Sequence, residues 1–480
     1  MQIIHHLTVY GNSPNTGQLN LNFFLSRQSL RSLSSQFFSF APLLKRDRQE
    51  TMAVISELSG YTTTSRALPA AVSPGRLLLN DLFILMNNAK HIPGILGPIF
   101  PLSFRPLDEL SIGWGNFFDC VFHGVLLTTQ SLFLCSLPLC LILPLGNFLV
   151  YFIGFLVANF IFCLSFNGNR DKLFVATPGS GIPITGHSER WIFINGVSVG
   201  KRWLQNNIQQ LANTFRRRIV AVHNPTSGIL FDLIQCLIER DFSYNTGDVR
   251  QGYAYIKEQI TDDDVSKVVL VLHSQGGIEG GMIIDWILTD VPEHKLSKLE
   301  VYTFGNAANH FNNPVRLPRE GWPSSTSISN NGTSVAVNGT HAKETFRDKT
   351  TRAIGHIEHY ANDGDFVACF GVLHFTEKKL PGQHRHGLIE NKDVDENRFV
   401  GLVFKRQGTG HMFCQHYLNN MFTMKGTKVD EENEFMDSLA SVDSMQGGRR
   451  IAHIGKQGES VKIKTLSRLW QYRNGGSPES

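Results

Sequence analysis

The hydrophobic positions of the chain are concentrated in one uncharged stretch, which runs from residue 120 to residue 169. It contains two apolar segments, residues 121–143 and 148–166, separated by the turn-forming sequence Pro144-Leu-Gly-Asn. About 20 helical residues cross a hydrocarbon core of about 30 Å. The pattern therefore predicts a membrane hairpin over 117–169, in which two transmembrane helices have both of their outer ends on one side.

The polar residues inside the predicted hairpin are uncharged. His123, Gln130 and Asn159 interrupt the apolar sequence, and such side chains can form hydrogen bonds between paired helices. Arg170 and Lys172 follow the second segment directly, which favours a cytosolic position for the flanks. A helical cap buried over a soluble domain is the alternative interpretation.

After the hairpin, short apolar runs alternate with segments of helical periodicity. The apolar runs predict strands at 191–195, 218–222, 267–272 and 299–304. Helical spacing is found at 197–216, 228–240, 248–260 and 277–289. Alternation of this kind is typical of a mostly parallel sheet with helices on both faces. The predicted fold class is therefore α/β over 173–425, with an insertion rich in Asn, Ser and Thr at 310–350.

The remaining regions carry weaker signals. Residues 1–78 are frequently interrupted by Pro and Gly, and the first 46 residues have basic but no acidic side chains. This composition predicts a disordered or organelle-targeting region, with Met52 as an alternative start of translation. Residues 79–116 are interpreted as a juxtamembrane segment. Residues 426–480, which are first acidic and then basic, predict a charged flexible tail.

Charge and cysteine content narrow the possible functions. The chain has 45 Lys and Arg against 41 Asp and Glu, a net charge of +4. Such a balance, without a basic stripe, argues against nucleic acid as a partner. The seven cysteines have no recurring spacing, which argues against a disulfide framework and against zinc. We expect no cofactor and no metal.

The most informative chemical signal is a serine between a predicted strand and a predicted helix, in Val268-Val-Leu-Val-Leu272-His-Ser274-Gln275-Gly-Gly277. At such a sharp turn the hydroxyl lies at the edge of the sheet, and the next N–H and the helix N-terminus face any negative charge that develops there. The turn crowds the backbone, and the glycines after Ser274 provide the necessary space.

This stretch resembles the nucleophile elbow of the α/β-hydrolase superfamily, in particular of its lipase-like serine hydrolases of the membrane-anchored, fungal type. The resemblance covers residues 191–425. The family pattern is Gly-x-Ser-x-Gly, and Leu272 occupies the position of the first glycine, where it needs extra room beside the turn. The resemblance implies an α/β-hydrolase fold with Ser274 as nucleophile, followed along the chain by an acid and then a histidine.

Two candidates for each partner fit what the resemblance implies. In Asn362-Asp363-Gly-Asp365-Phe-Val, the preferred acid is Asp365, because apolar residues follow it as in the family, and Asp363 is the alternative. In Gly408-Thr-Gly-His411, the preferred base is His411, because it follows a glycine in a loop. His416, which lies on the following predicted helix, is the alternative base.

The resemblance also implies an oxyanion hole. One donor would be the backbone N–H of Gln275, and the second would be that of Val197, in the loop after the 191–195 strand. Gly196 allows the close approach of this loop, which reads Asn195-Gly196 where family members carry His-Gly.

Together these features predict a membrane-associated serine hydrolase that cleaves carboxylic esters, in particular lipid esters, through an acyl-enzyme. Its expected partners are an ester substrate and a membrane. The expected location is the endoplasmic reticulum or a lipid droplet with a cytosolic hydrolase domain, and a mitochondrial membrane is the alternative. A catalytically inactive hydrolase-fold tether or regulator, a thioesterase and a peptidase are the alternative functions.

Overall fold

The computed structural model describes residues 73–95, 105–140, 142–168, 173–314, 352–376, 399–442 and 461–478, together with the backbone of residues 52–56. The targeting signal predicted near the N-terminus lies outside the described residues, as does the predicted insertion from residue 315 to residue 350. The strands are β1 Met52–Ser56, β2 Leu173–Ala176, β3 Glu189–Ile194, β4 Ile219–Val222, β5 Lys267–His273, β6 Leu299–Phe304, β7 His356–Asn362, β8 Leu402–Arg406, β9 Met424–Lys425, β10 Lys428–Val429, β11 Leu439–Val442 and β12 Val461–Lys462.

Ten of these strands form one sheet in the order β12-β11-β1-β8-β7-β6-β5-β3-β4-β2. The central strands β8, β7, β6, β5, β3 and β4 run parallel to one another. Antiparallel pairs join β2 to β4 and β1 to β8. The sheet is therefore mostly parallel, as the alternating sequence pattern predicts.

Helices are described in the connections β3–β4, β4–β5, β5–β6 and β7–β8. The helices are α1 Pro74–Asn88 with a 3₁₀ turn at Ala89–Ile95, α2 Trp114–Cys140, α3 Leu145–Asn167, α4 Lys201–Phe215, α5 Ile229–Phe242, α6 Gly247–Thr261, α7 Gly276–Asp290, α8 Glu293–Leu296, α9 Phe366–Phe370, α10 Val372–Thr376, a π-helical segment Phe413–Leu418, α11 Asn419–Met421, α12 Glu434–Asp437, α13 Ile463–Leu466, α14 Arg468–Gln471 and a 3₁₀ turn Arg473–Gly475.

The sheet separates two hydrophobic cores, because alternate strand residues point to opposite faces. On β3, Trp191 and Phe193 enter the core that α4 and the C-terminal helices cover. Ile192 and Ile194 enter the other core, which α5, α6 and α7 cover. Burial on both faces explains why β5 is apolar from Val268 to Leu272 rather than alternating.

The register of the central strands determines where functional residues gather. Ile194 of β3 pairs with Leu272 of β5, which pairs with Thr303 of β6, which in turn pairs with His359 of β7. The carboxyl ends of these parallel strands therefore lie side by side. The residues that follow them meet along one edge of the sheet, where ligands bind in open α/β sheets.

Among the described residues, two helices are long and apolar enough to cross a membrane, α2 and α3, and they follow one another with a short turn between them. Their bounds differ from the sequence prediction: α2 begins at Trp114 rather than near 121, and the turn precedes Leu145 rather than extending to Asn147. Pro144 lies at the N-cap of α3, where its missing N–H costs no intrahelical hydrogen bond.

The structure corrects the prediction of a flexible tail over 426–480. Residues 461–478 pack on the sheet, with Leu469, Trp470 and Tyr472 buried, and the Tyr472 ring stands edge-on to Trp191 at 5.0 Å. Basic and apolar residues alternate here, so the apolar ones enter the core while Arg468 reaches Glu300 at 2.9 Å. The mixture of basic and apolar residues that suggested a solvated tail is therefore the pattern of an amphipathic segment packed on the sheet.

The N-terminal region predicted as disordered also contributes to the sheet. Its residues 52–56 form β1, which runs antiparallel to β8 and parallel to β11. The segment predicted as juxtamembrane contains α1, which packs on the α/β domain through an ion pair between Asp81 and Arg240 at 2.8 Å.

Candidate active site

Ser274 lies at the turn between β5 and α7 in a left-handed backbone conformation, with φ of 58°. Its N–H donates to the carbonyl of Phe304 on the next strand at 3.0 Å. A non-glycine residue at positive φ is strained, and such strain is concentrated at functional sites. The turn depends on glycines around it: a Cβ on Gly196 would lie 2.3 Å from the Cβ of Ser274, and one on Gly276 would lie 2.5 Å from the Ile194 carbonyl oxygen.

The room that Leu272 requires comes from helix α7. A Cβ on Gly280 would lie 2.3 Å from Cδ1 of Leu272. Because Gly280 has no side chain, the leucine packs where the helix crosses the strand and is completely buried. The large residue in the elbow is thus accommodated without displacing the turn.

The structure brings Ser274, His411 and Asp365 into one hydrogen-bonded chain. The Ser274 hydroxyl donates to Nε2 of His411 at 2.8 Å, and Nδ1–H of His411 donates to Oδ2 of Asp365 at 2.8 Å. All three side chains are buried, with Ser274 only 2% exposed. This is the arrangement that makes a serine nucleophilic, because the imidazole can take the hydroxyl proton while the carboxylate fixes its tautomer.

Asp365 is held from two further directions. Its Oδ1 accepts the N–H of Val367 as the N-cap of α9, at 2.9 Å. The Tyr417 hydroxyl donates to Oδ2 at 2.5 Å. Burial raises the pKa of Tyr417 well above its usual range, and the adjacent Asp365 carboxylate raises it further. The phenol therefore stays protonated and acts only as a donor to Asp365.

The alternative acid and base have structural roles instead. Oδ1 of Asp363 accepts the N–H of Gly408 at 2.9 Å, which ties two loops together. Nδ1 of His416 accepts the N–H of Met412 at 3.0 Å at the start of the π-helical segment. Both side chains help to shape the loops that carry Asp365 and His411, and neither lies in the hydrogen-bonded chain.

A second histidine, His273, supports the loop of His411. Its Nε2–H donates to the His411 carbonyl at 2.8 Å, and the two rings stack with centroids 4.8 Å apart. Burial lowers the pKa of His273 well below its usual value, and the neighbouring His411 lowers it further. A neutral ring adds no positive charge beside His411.

The two predicted oxyanion donors flank the serine. Among the described residues, no hydrogen-bond acceptor is found for the N–H of Gln275 or for that of Val197. The Val197 loop is held in place by Asp232, which accepts the N–H of Ser198 at 2.9 Å. Burial raises the pKa of Asp232 to about 6, although its hydrogen bonds from Thr226, Ser227 and Ser198 oppose the shift.

A chain of side-chain amides extends from this loop. Asn195 and Asn224 exchange two hydrogen bonds, of 3.0 and 2.9 Å. Asn224 donates to Oε1 of Gln275 at 2.8 Å, and Gln275 donates to Glu239 at 2.9 Å. Asn195 is thus connected through Asn224 to Gln275, which links the two loops that carry the predicted donors.

Behind Gln275 lies an acidic cluster of Glu239, Asp248 and Glu279. Burial raises the pKa of Glu239 to about 7. It raises that of Glu279 well above its ordinary value, and Asp248 and Glu239 raise it further. Among the described residues, no donor reaches either carboxyl oxygen of Glu279, which lies within hydrogen-bonding reach of Asp248. Burial of the Glu279 carboxyl without a donor favours its neutral form.

Segments that precede the hairpin close the site. The Ile95 carbonyl accepts the N–H of His411 at 3.0 Å. The Glu109 carboxylate accepts the N–H groups of Cys414 and Gln415, at 2.8 and 3.1 Å. Burial raises the pKa of Glu109 to about 7. The chain that leads into the hairpin therefore also fixes the loop of His411.

Sequence reasoning missed several of these residues. Tyr417 and Glu109 carry no motif, and each contacts its partner only through the tertiary fold. The spacing of Tyr417, six residues after His411 in an apolar helix, predicts a core residue. The hydroxyl of a buried tyrosine usually forms a hydrogen bond, and this is the one sequence signal that indicates a polar partner for Tyr417.

Comparison with family models, curated proteins and solved structures finds no match for this chain. Within the described ranges, no group of three or more His, Cys, Asp or Glu side chains is arranged to hold a metal ion.

Proposed function

We propose that this protein is a membrane-associated serine hydrolase with an α/β-hydrolase fold, which cleaves carboxylic esters of lipids through an acyl-enzyme. The observation that carries the proposal is the hydrogen-bonded chain from Ser274 through His411 to Asp365, with both links at 2.8 Å. The left-handed Ser274 between β5 and α7 supports it, because this turn directs the hydroxyl away from the backbone.

In the proposed reaction, Oγ of Ser274 attacks the ester carbonyl while Nε2 of His411 takes its proton. Asp365 stabilises the imidazolium. The N–H groups of Gln275 and Val197 bind the oxyanion, and such donors contribute about 3–4 kcal/mol each. The imidazolium then protonates the departing alcohol, and water hydrolyses the acyl-enzyme by the same route.

The lipid part of the proposal is supported by the hairpin. Helices α2 and α3 are long and apolar enough to lie in a membrane, and the chain before them closes the site. An enzyme attached at a bilayer meets esters whose acyl chains are held there. The membrane insertion and the hydrolysis are separate propositions, and each has its own test.

Labelling with a fluorophosphonate probe tests the hydrolase. The wild-type chain in detergent should be labelled, and Ser274→Ala should lose all labelling. Ser266→Ala is the matched control. Ser266 is exposed and immediately precedes β5, at the end of the strand opposite to Ser274, and its hydroxyl forms a hydrogen bond with that of Ser188. Persistent labelling of Ser274→Ala would refute the assignment of the nucleophile.

One observation favours the alternative of an inactive tether. Ser274 is almost completely buried, and the 3₁₀ turn Ala89–Ile95 contacts the loop of His411. A correctly folded wild-type chain that the probe never labels, in detergent or in vesicles, would favour the tether. If labelling occurs, turnover of matched ester, thioester and peptide substrates separates the esterase from a thioesterase or a peptidase.

A further inference from the structure

Helix α5 has an inverted distribution of polar and apolar residues. Its exposed positions are apolar, namely Leu233, Ile234, Ile238 and Phe242. Its buried positions include the charged residues Asp232, Glu239, Arg240 and Asp241. Helix α4, which follows the neighbouring strand, has the usual distribution: Trp203, Leu204 and Ile208 are buried, and Arg202 and Gln205 are exposed. Water stabilises the second pattern but not the first.

The charged face of α5 is committed to the protein interior. Arg240 donates to Asp81 at 3.0 Å and to the Ala307 carbonyl at 2.8 Å, and its guanidinium lies 3.8 Å from the centre of the Phe370 ring. Asp232 accepts the N–H groups of Ser198 and Ser227. The helix therefore cannot rotate to bury its apolar face without breaking buried ionic contacts.

The apolar face of α5 is continuous with the hairpin. The Phe231 ring contacts Phe133 of α2 and Phe155 of α3, at 6.2 and 6.1 Å. At the start of α5, Gln130 and Asn159 both donate to the Ser227 carbonyl, at 2.7 and 3.0 Å. The polar residues that interrupt the hairpin sequence thus fasten it side by side to α5.

Helix α1 extends the same surface. Leu79, Leu82 and Met86 are exposed on it, while its only acidic residue, Asp81, is buried against Arg240. The exposed charges on α1 and its 3₁₀ turn are Arg76 and Lys90. Exposed apolar residues with basic residues at both ends are typical of a helix in the interface of an anionic membrane.

The length of the hairpin beyond its contacts limits how far it can reach. On α2, Phe133 still contacts a ring of the α/β domain. Seven residues of the helix follow Phe133, the last of which is Cys140. At 1.5 Å per residue these span about 10 Å, less than half of a hydrocarbon core of about 30 Å. A docked hairpin that enters a bilayer deeply therefore brings α5 into it as well.

We propose that the exposed apolar faces of α5 and α1 lie in the same bilayer leaflet as the hairpin. The domain is then embedded by this surface, rather than held away from the membrane by helices that cross it. The residues Ala307 and Phe370, which Arg240 contacts, follow the carboxyl ends of β6 and β7, so α5 lies along the edge of the sheet that carries Ser274. This inference rests on the membrane association proposed above and not on hydrolysis.

Photo-crosslinking of the full chain tests the embedded surface. p-Benzoylphenylalanine is placed at Ile238 of α5, at Val150 of the hairpin, or at Asp263 as the control, and the chain is reconstituted in phosphatidylcholine–phosphatidylserine nanodiscs. Asp263 is exposed and precedes β5, so it lies at the opposite edge of the sheet. Mass spectrometry after irradiation should detect phospholipid adducts at 150 and 238 and none at 263.

Each other outcome has a definite meaning. Adducts at 150 without adducts at 238 would refute the embedded α5 and leave the inserted hairpin standing. Adducts between two chains at 238 would overturn the inference in favour of a self-association surface. Absence of lipid adducts at both 150 and 238 would refute the inference together with the proposed membrane association. Fluorophosphonate labelling of the same samples reports on Ser274 independently.

Discussion

Two buried polar groups lie on either side of Gln275, and they are stabilised in opposite ways. In the chain of Ser274, His411 and Asp365, each link is a hydrogen bond of 2.8 Å, and Tyr417 and Val367 also donate to Asp365. In the acidic cluster, no donor among the described residues reaches either carboxyl oxygen of Glu279. In the first group donors hold the carboxylate in place. In the second, burial raises the pKa even of Glu239, although Gln275 and Gln235 donate to it.

This difference in hydrogen bonding shows how two groups of buried acidic side chains can lie at the same end of the sheet. Desolvation stabilises the neutral form of a buried carboxyl, and hydrogen-bond donors oppose that effect. Gln275 connects the two groups: it follows Ser274 directly, and its side chain donates to Glu239. Substitutions should therefore separate the groups, with activity depending on the first and the pH dependence of stability on the second.

The largest expected effect follows from Asp365→Asn. The amide cannot stabilise the imidazolium and favours the wrong tautomer of His411, so kcat for a short-chain ester should fall about 10³- to 10⁴-fold. Asp363→Asn is the matched control, because the Asp363 carboxylate accepts the N–H of Gly408 and lies outside the hydrogen-bonded chain. Equal losses in the two variants, measured with their thermal unfolding midpoints unchanged, would remove Asp365 from the proposed mechanism.

The next effect concerns stability and comes from Glu239→Gln. The pKa of Glu239 is raised from 4.5 to about 7, so the folded state binds a proton that the unfolded state releases. This contribution to stability is present below pH 4.5 and is lost as the pH rises through 7. The loss amounts to about 3 kcal/mol, because a difference of one between the folded and unfolded pKa corresponds to about 1.4 kcal/mol.

The measurement is the unfolding midpoint in detergent as a function of pH. Relative to wild type, Glu239→Gln should gain stability between pH 4.5 and 7 and keep that gain at pH 8. Glu258→Gln, at an exposed position of the neighbouring helix α6, should follow the wild-type curve. Parallel curves for Glu239→Gln and wild type would show that the cluster is not stabilised by protonation.

The smallest expected effect is that of Tyr417→Phe. The substitution removes the hydrogen bond to Asp365 while His411 and Val367 still donate to that carboxylate. The loss of one hydrogen bond to a charged group costs about 1.5–3 kcal/mol. We expect kcat to fall roughly ten- to a hundredfold with KM unchanged, since 1.4 kcal/mol is about tenfold. A change in KM alone would indicate that Tyr417 shapes the substrate site instead of orienting Asp365.

The sequence predicts those parts of the fold that depend on local pattern. The strand over 299–304 has the predicted bounds, and the other predicted strands agree within a few residues, because buried parallel strands are continuous apolar runs. The second helix of the hairpin begins earlier than predicted, because the residues after Pro144 start the helix instead of completing a four-residue turn. The packed C-terminal segment was not predicted, because alternating basic and apolar residues fit both a solvated tail and an amphipathic segment.

In the site, motif and spacing predict Ser274, and the fold distinguishes between the alternative acids and bases that spacing alone does not separate. Asp363 and Asp365 are separated by one glycine, and only the N-cap position of Asp365 on α9 directs its carboxylate toward His411. The contributions of Tyr417 and Glu109 come from residues distant in sequence from their partners. Contacts of this kind follow from packing, which no single-sequence pattern encodes.

The pairing of Leu272 with Gly280 has a consequence for how such sites vary. The leucine side chain occupies the volume that a Cβ at position 280 would need, so the two positions are constrained jointly rather than singly. A chain with a large residue at the position of Leu272 must keep a glycine at the position of Gly280. A chain with a small residue at the first position can carry a larger side chain at the second. A pattern that requires the first glycine alone would overlook any sequence with this compensation.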